Sequence, residues 1–253
     1  MTSTMISPIV LYGFGPGFGL PEMSAFVTKT EVQFKMAGLA YTKQLARPDA
    51  SPKGQLPFIS DNGVLVADST FIRAHVEKTR AFDFDAGLDR HQRAEAWALE
   101  RMIENQLNTA TAYTRWLLPE NFTKGPGRVF IPPEMHEAVL ARVTDSMKAQ
   151  GIARHTPAET AELGDRSLSA LSIVLGDKPF LMGDSPTGID ATAFGALAAI
   201  LTPFFESALR QRAAGYANLV AYTARLMAHY YPDHPWMAEP SLDEEAPTRR
   251  RIA

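Results

Sequence analysis

Side chains that could do chemistry stand at both ends of a short predicted hairpin. Two apolar runs, Phe58-Ile59 and Val64 to Ala67, flank Asp61-Asn62-Gly63, and Asn-Gly readily adopts the positive φ angles of a tight turn. Pro57 precedes the first strand, where a residue without an N–H is tolerated. Asp68-Ser69 follows the second strand and can cap the helix that comes next. A proline and an acid–hydroxyl pair therefore bracket one antiparallel ribbon.

Two hydroxyl groups near the start of the chain are further candidates. Ser24 stands where a helix begins that is predicted to end at Gly38, and Tyr12 follows the apolar strand signal of Ile9 to Leu11. Each of these residues also has a purely structural interpretation. Serine and aspartate are among the best N-caps in any protein, and a tyrosine at a strand end commonly packs against its neighbours.

Composition excludes several classes of protein. The formal charge of −3 over 253 residues gives no basic field for nucleic acid, and zero cysteines excludes cysteine-based reductase chemistry and thiolate metal sites. The six histidines form no His-x-x-x-His pair, so no metal is expected. No apolar run reaches the roughly 20 residues that span a bilayer, and no signal peptide is evident. We expect a cytoplasmic protein that does not contact membranes.

The glycines between Gly13 and Gly19 alternate with other residues and do not follow a phosphate-binding pattern. This stretch is therefore interpreted as a flexible or turn-rich connection.

The order of predicted elements indicates two domains. Strand, helix, strand, hairpin and helix make an α/β layer over residues 1–82, and a linker covers 83–90. An all-helical domain follows over 91–236, and the charged tail 237–253 is expected to be disordered.

The helical domain should begin with one long amphipathic helix from about His91 to Leu118. A Gly/Pro-rich interruption is predicted at 121–133, followed by helices over 134–150 and 157–175. Thr187 and Asp190 have the spacing of a capping box, and they open a helix that runs through Leu201. A last helix is predicted over 214–230.

This arrangement resembles the glutathione S-transferase superfamily, in which a thioredoxin-like domain precedes a helical domain. Within it the chain is most similar to the branch of failed axon connections and the metaxins. The stretches that carry the resemblance are Ser24-Ala25-Phe26, Met36-Ala37-Gly38, Lys53 to Ile59, Ala67 to Thr70 and Gly183 to Asp190.

The resemblance implies a binding site for glutathione as co-substrate. In the superfamily the proline matched by Pro57 is cis, and the backbone at Leu56 hydrogen-bonds the cysteinyl part of the peptide. Asp68 and Ser69 match the pair that holds the γ-glutamyl group, at a helix N-terminus that favours an anion. Gln55 would lie beside the peptide. Lys53 would face the glycyl carboxylate.

The same resemblance makes Ser24 the preferred activator of the glutathione thiol, with Tyr12 as its rival. A thiol has an ordinary pKa near 8.5, so lowering it by about two units takes about 2.7 kcal/mol of preferential anion stabilisation. In this superfamily the long helix after the linker lines the second-substrate pocket. Arg101, Asn105, Tyr113 and Trp116 are therefore expected to border that pocket.

Two functions are consistent with the sequence. The first is an enzyme that transfers the glutathione thiolate to a small hydrophobic electrophile, with homodimerisation suggested by analogy. The second is a non-catalytic binding or scaffold protein of the same fold, since Ala25 and Val27 depart from the usual pattern of the first helix.

Overall fold

The computed structural model describes residues 8–237. A four-stranded mixed sheet in the order β2-β1-β3-β4 forms the first layer. The strands are β1 (Ile9–Gly13), β2 (Tyr41–Leu45), β3 (Phe58–Asp61) and β4 (Val64–Ala67). β1 pairs with β2 in parallel and with β3 antiparallel. The predicted thioredoxin-like layer is confirmed.

β3 and β4 form the predicted hairpin. Asn62 and Gly63 both have positive φ, 50° and 83°, as a two-residue turn between twisted strands requires. Asp61 fixes the turn to the next helix, because its carboxylate lies 2.8 Å from Nε2 of His75 and 2.7 Å from the Arg80 guanidinium. The register of the two strands is set by their pairing, from Phe58 with Ala67 to Asp61 with Val64.

Two helices pack on this sheet, α1 (Ala25–Met36) and α2 (Ser69–Arg80). Ser24 and Asp68 are their N-caps, as the sequence predicts, and Gly38 has the positive φ of a helix-ending glycine. The core between sheet and helices is built from buried apolar side chains, among them Leu11, Val27, Phe34, Ile59 and Ile72.

The rest of the described chain is helical. It comprises α3 (Arg90–Met102), α4 (Asn108–Trp116), α5 (Pro119–Lys124), α6 (Pro126–Phe130), α7 (His136–Gln150), α8 (Pro157–Leu175), α9 (Gly188–Leu201), α10 (Ala208–Ala214) and α11 (Ala217–Tyr230). Short 3₁₀ turns lie at Pro48–Ala50, Pro133–Met135 and Ile152–Arg154. The capping box of Thr187 and Asp190 opens α9 as predicted.

Three helical regions differ from the sequence prediction. The Gly/Pro-rich stretch 121–133 includes the end of α5 and all of α6. Each of these helices has a proline in its first turn, where the missing N–H costs nothing. α10 lies almost entirely in 202–213, for which the sequence predicted no element. The long first helix is continuous from α3 to α4 but passes through a π-helical segment, Ile103–Leu107.

The sheet layer and the helical layer meet along α1 and α9. A side chain at Gly195 would place its Cβ 2.6 Å from the carbonyl oxygen of Ala25, so only glycine permits this approach. α2 ends at Arg80 and α3 begins at Arg90, and the predicted linker 83–90 falls largely in that interval. The predicted disordered tail, 237–253, lies outside the described residues except for Met237.

Candidate active site

The two ends of the hairpin lie side by side. The Leu56–Pro57 peptide bond is cis, and Phe58 pairs with Ala67 across the ribbon. The N–H of Asp68 donates to the carbonyl oxygen of Pro57 at 3.2 Å. The structure therefore brings the predicted proline and the predicted acid–hydroxyl pair to one edge of the sheet.

Asp68 is held in an unusual backbone conformation at this edge. Its φ is 79°, a region that non-glycine residues rarely enter and that is often found at ligand sites. Its exposed carboxylate accepts a hydrogen bond from the N–H of Thr70 at 2.9 Å. Ser69, the first residue of α2, is buried. A carboxylate open to solvent and a helix N-terminus thus stand together.

Lys53 and Gln55 are exposed on the segment that leads into the cis bond. The ammonium of Lys53 lies 3.9 Å from the centre of the Phe71 ring on α2. Gln55 faces a cleft described below. Both predicted residues are accessible to a bound peptide, and their roles stay predictions.

Ser24 caps α1 without using its own proton. Its Oγ accepts from the N–H of Val27 at 3.4 Å, and the side chain is half-buried. A hydroxyl can accept through a lone pair and donate its hydrogen at the same time. Capping and thiol activation are therefore compatible at this one oxygen, although the sequence presents them as alternatives.

Tyr12 lies on the other face of the sheet. A Cβ added to Gly13 would lie 2.8 Å from Val27 of α1, so side chains on that face of β1 point toward α1. Because strand side chains alternate, that of Tyr12 points the opposite way. Its ring stacks on Phe58 with a centroid separation of 4.2 Å. This placement favours Ser24 over Tyr12, and the choice between them stays a prediction.

Glu22 is a residue of the site that sequence reasoning missed. It is 1% exposed and accepts from the backbone N–H groups of Phe14 (3.2 Å), Gly15 (3.0 Å) and Ser24 (3.3 Å). Burial raises the pKa of this carboxyl, while Lys43, 3.4 Å away, and the three N–H groups oppose that rise. Glu22 thereby pins the glycine-rich loop to the start of α1. The signal in the sequence was a carboxylate between the loop and the predicted start of α1.

A cleft of about 670 Å³ opens beside the N-terminus of α1. It is bounded by Phe26 of α1, by Gln55 and by the π segment with α4, and α7 closes its far side. Its apolar lining is Phe26, Ala112, Val143 and Met147. Its polar lining is Gln55, Glu104, Asn105, Asn108, Thr109, Ser146 and Gln150.

The four residues predicted to border a second-substrate pocket are placed differently from one another. Asn105 lines the cleft. Arg101 stands behind it and pairs with Glu104 at 2.6 Å. Tyr113 is buried with Met147 in a small apolar cluster, and Trp116 packs near Phe122. Of this set, Asn105 alone is among the residues that line the cleft.

Beneath the cleft lies a buried group of charges. Lys29, 1% exposed, contacts Glu100 at 2.8 Å and Glu104 at 2.7 Å. Arg101 contacts the same two carboxylates, and Arg73 of α2 approaches Glu100 at 3.6 Å. Because α1, α2 and the π segment all contribute, this group ties the two layers together at the site.

Arg115 fixes the other side of α1. Its guanidinium donates to the carbonyl oxygens of Met23 at 3.0 Å and Ala199 at 2.8 Å, and burial lowers its pKa to about 10. The ring of Phe205 lies 4.8 Å away. The glycine-rich loop adds Phe18 to this aromatic contact. The loop contains turns, as predicted, but its Phe18 side chain is buried, so it packs against the helical layer.

Comparison with known proteins identifies the family. Residues 25–121 match the family described as glutathione S-transferase N-terminal domain, and residues 164–226 match glutathione S-transferase, C-terminal domain. The chain is 32% identical over 244 residues to the isoprene-epoxide–glutathione S-transferase of Rhodococcus sp. (strain AD45), covering 88% of this chain and 99% of that one. The chain belongs to the glutathione S-transferase superfamily.

Other relatives in this superfamily agree with the predicted branch. Failed axon connections of Drosophila melanogaster is 31% identical, and the match covers 89% of this chain and 58% of that protein. Metaxin-2 of Mus musculus is 32% identical, covering 72% of each chain. A glutathione S-transferase from Methylobacterium radiotolerans JCM 2831, solved with glutathione sulfonate, has a TM-score of 0.60 at 16% identity, covering 93% of this chain and 98% of that one. The predicted fold class and family resemblance are confirmed.

Residues 8–237 contain neither a membrane-spanning helix nor a cluster of metal-ligating side chains. No helix in this range combines the length and the apolar character needed to cross a bilayer. Nor do these residues contain a group of three or more His, Cys, Asp or Glu side chains placed to hold a metal ion.

Proposed function

We propose that this protein binds glutathione and transfers its thiolate sulfur to a small electrophile. The observation that carries the proposal is the geometry of Ser24. Its oxygen caps α1 while its hydrogen is left to donate, and the same helix end borders a cleft large enough for a second substrate.

Glutathione would lie along the edge formed by the ends of the hairpin. The backbone of Leu56 would pair with the cysteinyl unit like a neighbouring strand. The exposed carboxylate of Asp68 would meet the γ-glutamyl ammonium, and the N-terminus of α2 at Ser69 would receive the carboxylate. Gln55 would then stand between the peptide and the cleft.

Ser24 would stabilise the thiolate in this complex. The thiol proton leaves to solvent, and the hydroxyl hydrogen and the N-terminus of α1 face the sulfur anion. A hydrogen bond to a charged group contributes about 1.5–3 kcal/mol, and a helix N-terminus adds about 0.3–1 kcal/mol. Together they match the roughly 2.7 kcal/mol that a two-unit lowering of the thiol pKa takes.

The electrophile would be a small epoxide, the class named in the Rhodococcus relative. The thiolate sulfur attacks one epoxide carbon and forms a C–S bond as the C–O bond breaks. The alkoxide that results takes up a proton from water, so the product is a hydroxyalkyl thioether of glutathione. Holding both reactants in adjacent sites lowers the barrier through proximity.

The test is conjugation of glutathione with 1,2-epoxybutane by wild type and by Ser24→Ala and Tyr12→Phe. We expect the Ser24 variant to lose most activity and the Tyr12 variant to keep it. The opposite pattern would assign activation to Tyr12, and wild-type protein that binds glutathione but converts no electrophile would favour a non-catalytic role.

A protein partner is proposed as well, because large apolar side chains are exposed on β4, α2 and α3. Leu65, Phe71 and Trp97 are 54%, 57% and 53% exposed. We propose a homodimer in which Phe71 is removed from water, a favourable change for an apolar side chain. Sedimentation of Phe71→Asp should show a lighter species than wild type, whereas monomeric wild type would contradict the proposal. Exposed apolar side chains also suit the alternative function, a scaffold that binds other proteins.

A further inference from the structure

The cleft beside the N-terminus of α1 is lined by polar as well as apolar side chains. The π segment and α4 supply Asn105, Asn108 and Thr109, while Gln55, Ser146 and Gln150 stand around the opening. Ligand pockets are generally apolar with a few placed polar groups. These amides and hydroxyls are the groups that could orient a ligand in the cleft through hydrogen bonds.

The π segment forms part of the cleft wall. The N–H of Asn108 donates to the carbonyl oxygen of Ile103, five residues back, where a regular α-helix would use Glu104. Such single π turns often mark functional sites. The local widening falls at Glu104 and Asn105, both of which line the cleft.

Asn108 carries a polar atom with nothing to bond. Its Oδ1 is buried and has no hydrogen-bond partner among residues 8–237. A buried acceptor left unpaired is costly and calls for an explanation. Thr109, its neighbour on the wall, differs because its hydroxyl already donates to the carbonyl oxygen of Asn105 at 2.8 Å.

The charges at the wall are already paired. Glu104 meets Lys29 at 2.7 Å and Arg101 at 2.6 Å, and Glu100 is likewise contacted by Lys29, Arg101 and Arg73. The polar groups that are left to a ligand are therefore uncharged. A neutral hydrogen-bonding group fits them better than an ionised one.

We propose that the electrophile carries a hydroxyl group and that Asn108 determines this specificity by accepting its hydrogen bond. A hydroxyl both donates and accepts, so it satisfies either end of the amide. The inference rests on the proposed function and replaces the small hydrophobic electrophile expected from the sequence with a hydroxylated one. The transfer step is unchanged, and the substrate hydroxyl is not consumed.

The test compares glycidol with 1,2-epoxybutane, which differ by a hydroxyl in place of a methyl group. After correction for the uncatalysed reaction of each with glutathione, we expect wild type to prefer glycidol by about tenfold in kcat/KM, equivalent to about 1.4 kcal/mol. Asn108→Leu should abolish this preference, and the matched control Thr109→Val should keep it. If wild type had the same kcat/KM for both epoxides, or a higher value for 1,2-epoxybutane, that result alone would overturn the inference.

Binding of the two products separates this inference from the function on which it rests. Calorimetry with S-(2,3-dihydroxypropyl)glutathione and S-(2-hydroxybutyl)glutathione should show about tenfold tighter binding of the first by wild type, and no difference with Asn108→Leu. If wild type did not bind glutathione itself, the proposed function would be overturned. Glutathione binding with no discrimination between the products would overturn only the role of Asn108, and Asn108→Ala replaces the leucine variant if that variant fails to fold.

Discussion

Replacing Ser24 by alanine should separate its two roles. The cap bond from Val27 is long, 3.4 Å, so its loss should cost about 0.5–1 kcal/mol of unfolding free energy, at the lower end for an N-cap. Loss of the donor to the thiolate removes a charged hydrogen bond of about 1.5–3 kcal/mol. At 1.36 kcal/mol per pKa unit, the pKa of bound glutathione thiol should rise by about one to two units.

The assay is the ultraviolet absorbance of the glutathione thiolate in the complex, followed as the pH is raised. Thiolate appears as pH rises through the thiol pKa, so the variant's titration should move to higher pH. Chemical unfolding of the same proteins measures separately the unfolding free energy that is lost with the N-cap.

Ser207→Ala is the matched control. Ser207 caps α10, and its Oγ accepts from the N–H of Arg210 at 3.1 Å, in a helix that does not line the cleft. This variant should lose about 1 kcal/mol of stability and leave the thiol titration unchanged. An unshifted thiol pKa in Ser24→Ala would refute the assignment of Ser24 as activator.

Two further predictions concern the supports of the site. Lys29→Met should lower the unfolding free energy by about 3–5 kcal/mol, because it leaves the buried carboxylates of Glu100 and Glu104 with fewer cations. The exposed pair of Arg166 with Glu162 is the control, and Arg166→Met should change stability by less than about 0.5 kcal/mol. Asp61→Asn should cost about 2 kcal/mol near neutral pH. Burial alone would raise the pKa of Asp61, but hydrogen bonds from His75 and Arg80 outweigh it and lower the pKa below its ordinary 3.8. The stabilisation by Asp61 is therefore present above pH 3.8 and lost as the pH falls through the lowered value, so the two proteins should converge in acid.

Denaturant unfolding monitored by circular dichroism checks both predictions. A Lys29→Met protein within 1 kcal/mol of wild type would contradict the buried-charge interpretation. A wild-type advantage over Asp61→Asn that grows on acidification would contradict the direction given for the Asp61 pKa.

The sequence predicted the turn of the hairpin and the helix caps of the site, because these depend on neighbouring residues. The turn at Asn62-Gly63 and the caps at Ser24 and Asp68 each follow from the conformational preference of one or two residues. That Phe26 at the start of α1 and Gln55 before the hairpin line one cleft follows from no local rule, because such rules set no distance between residues far apart in sequence.

The features that the sequence did not predict depend on tertiary contacts. Glu22 becomes a structural residue only because the glycine-rich loop folds its N–H groups around it. The hydrophobic spacing of about 3.6 residues that predicts a helix does not reveal the π segment 103–107, because the same spacing continues on both sides of it. Helices α5 and α6 begin at prolines, which a sequence scan counts as interruptions although a first turn tolerates them.

Calorimetric titration of wild type with glutathione, beside Asp68→Ala, tests the central proposal most directly. We expect wild type to bind one glutathione per chain, and the variant to bind it more weakly because the ammonium loses its exposed carboxylate. Wild type that gives no heat at millimolar glutathione would contradict glutathione binding at the hairpin, and the scaffold function would then take its place.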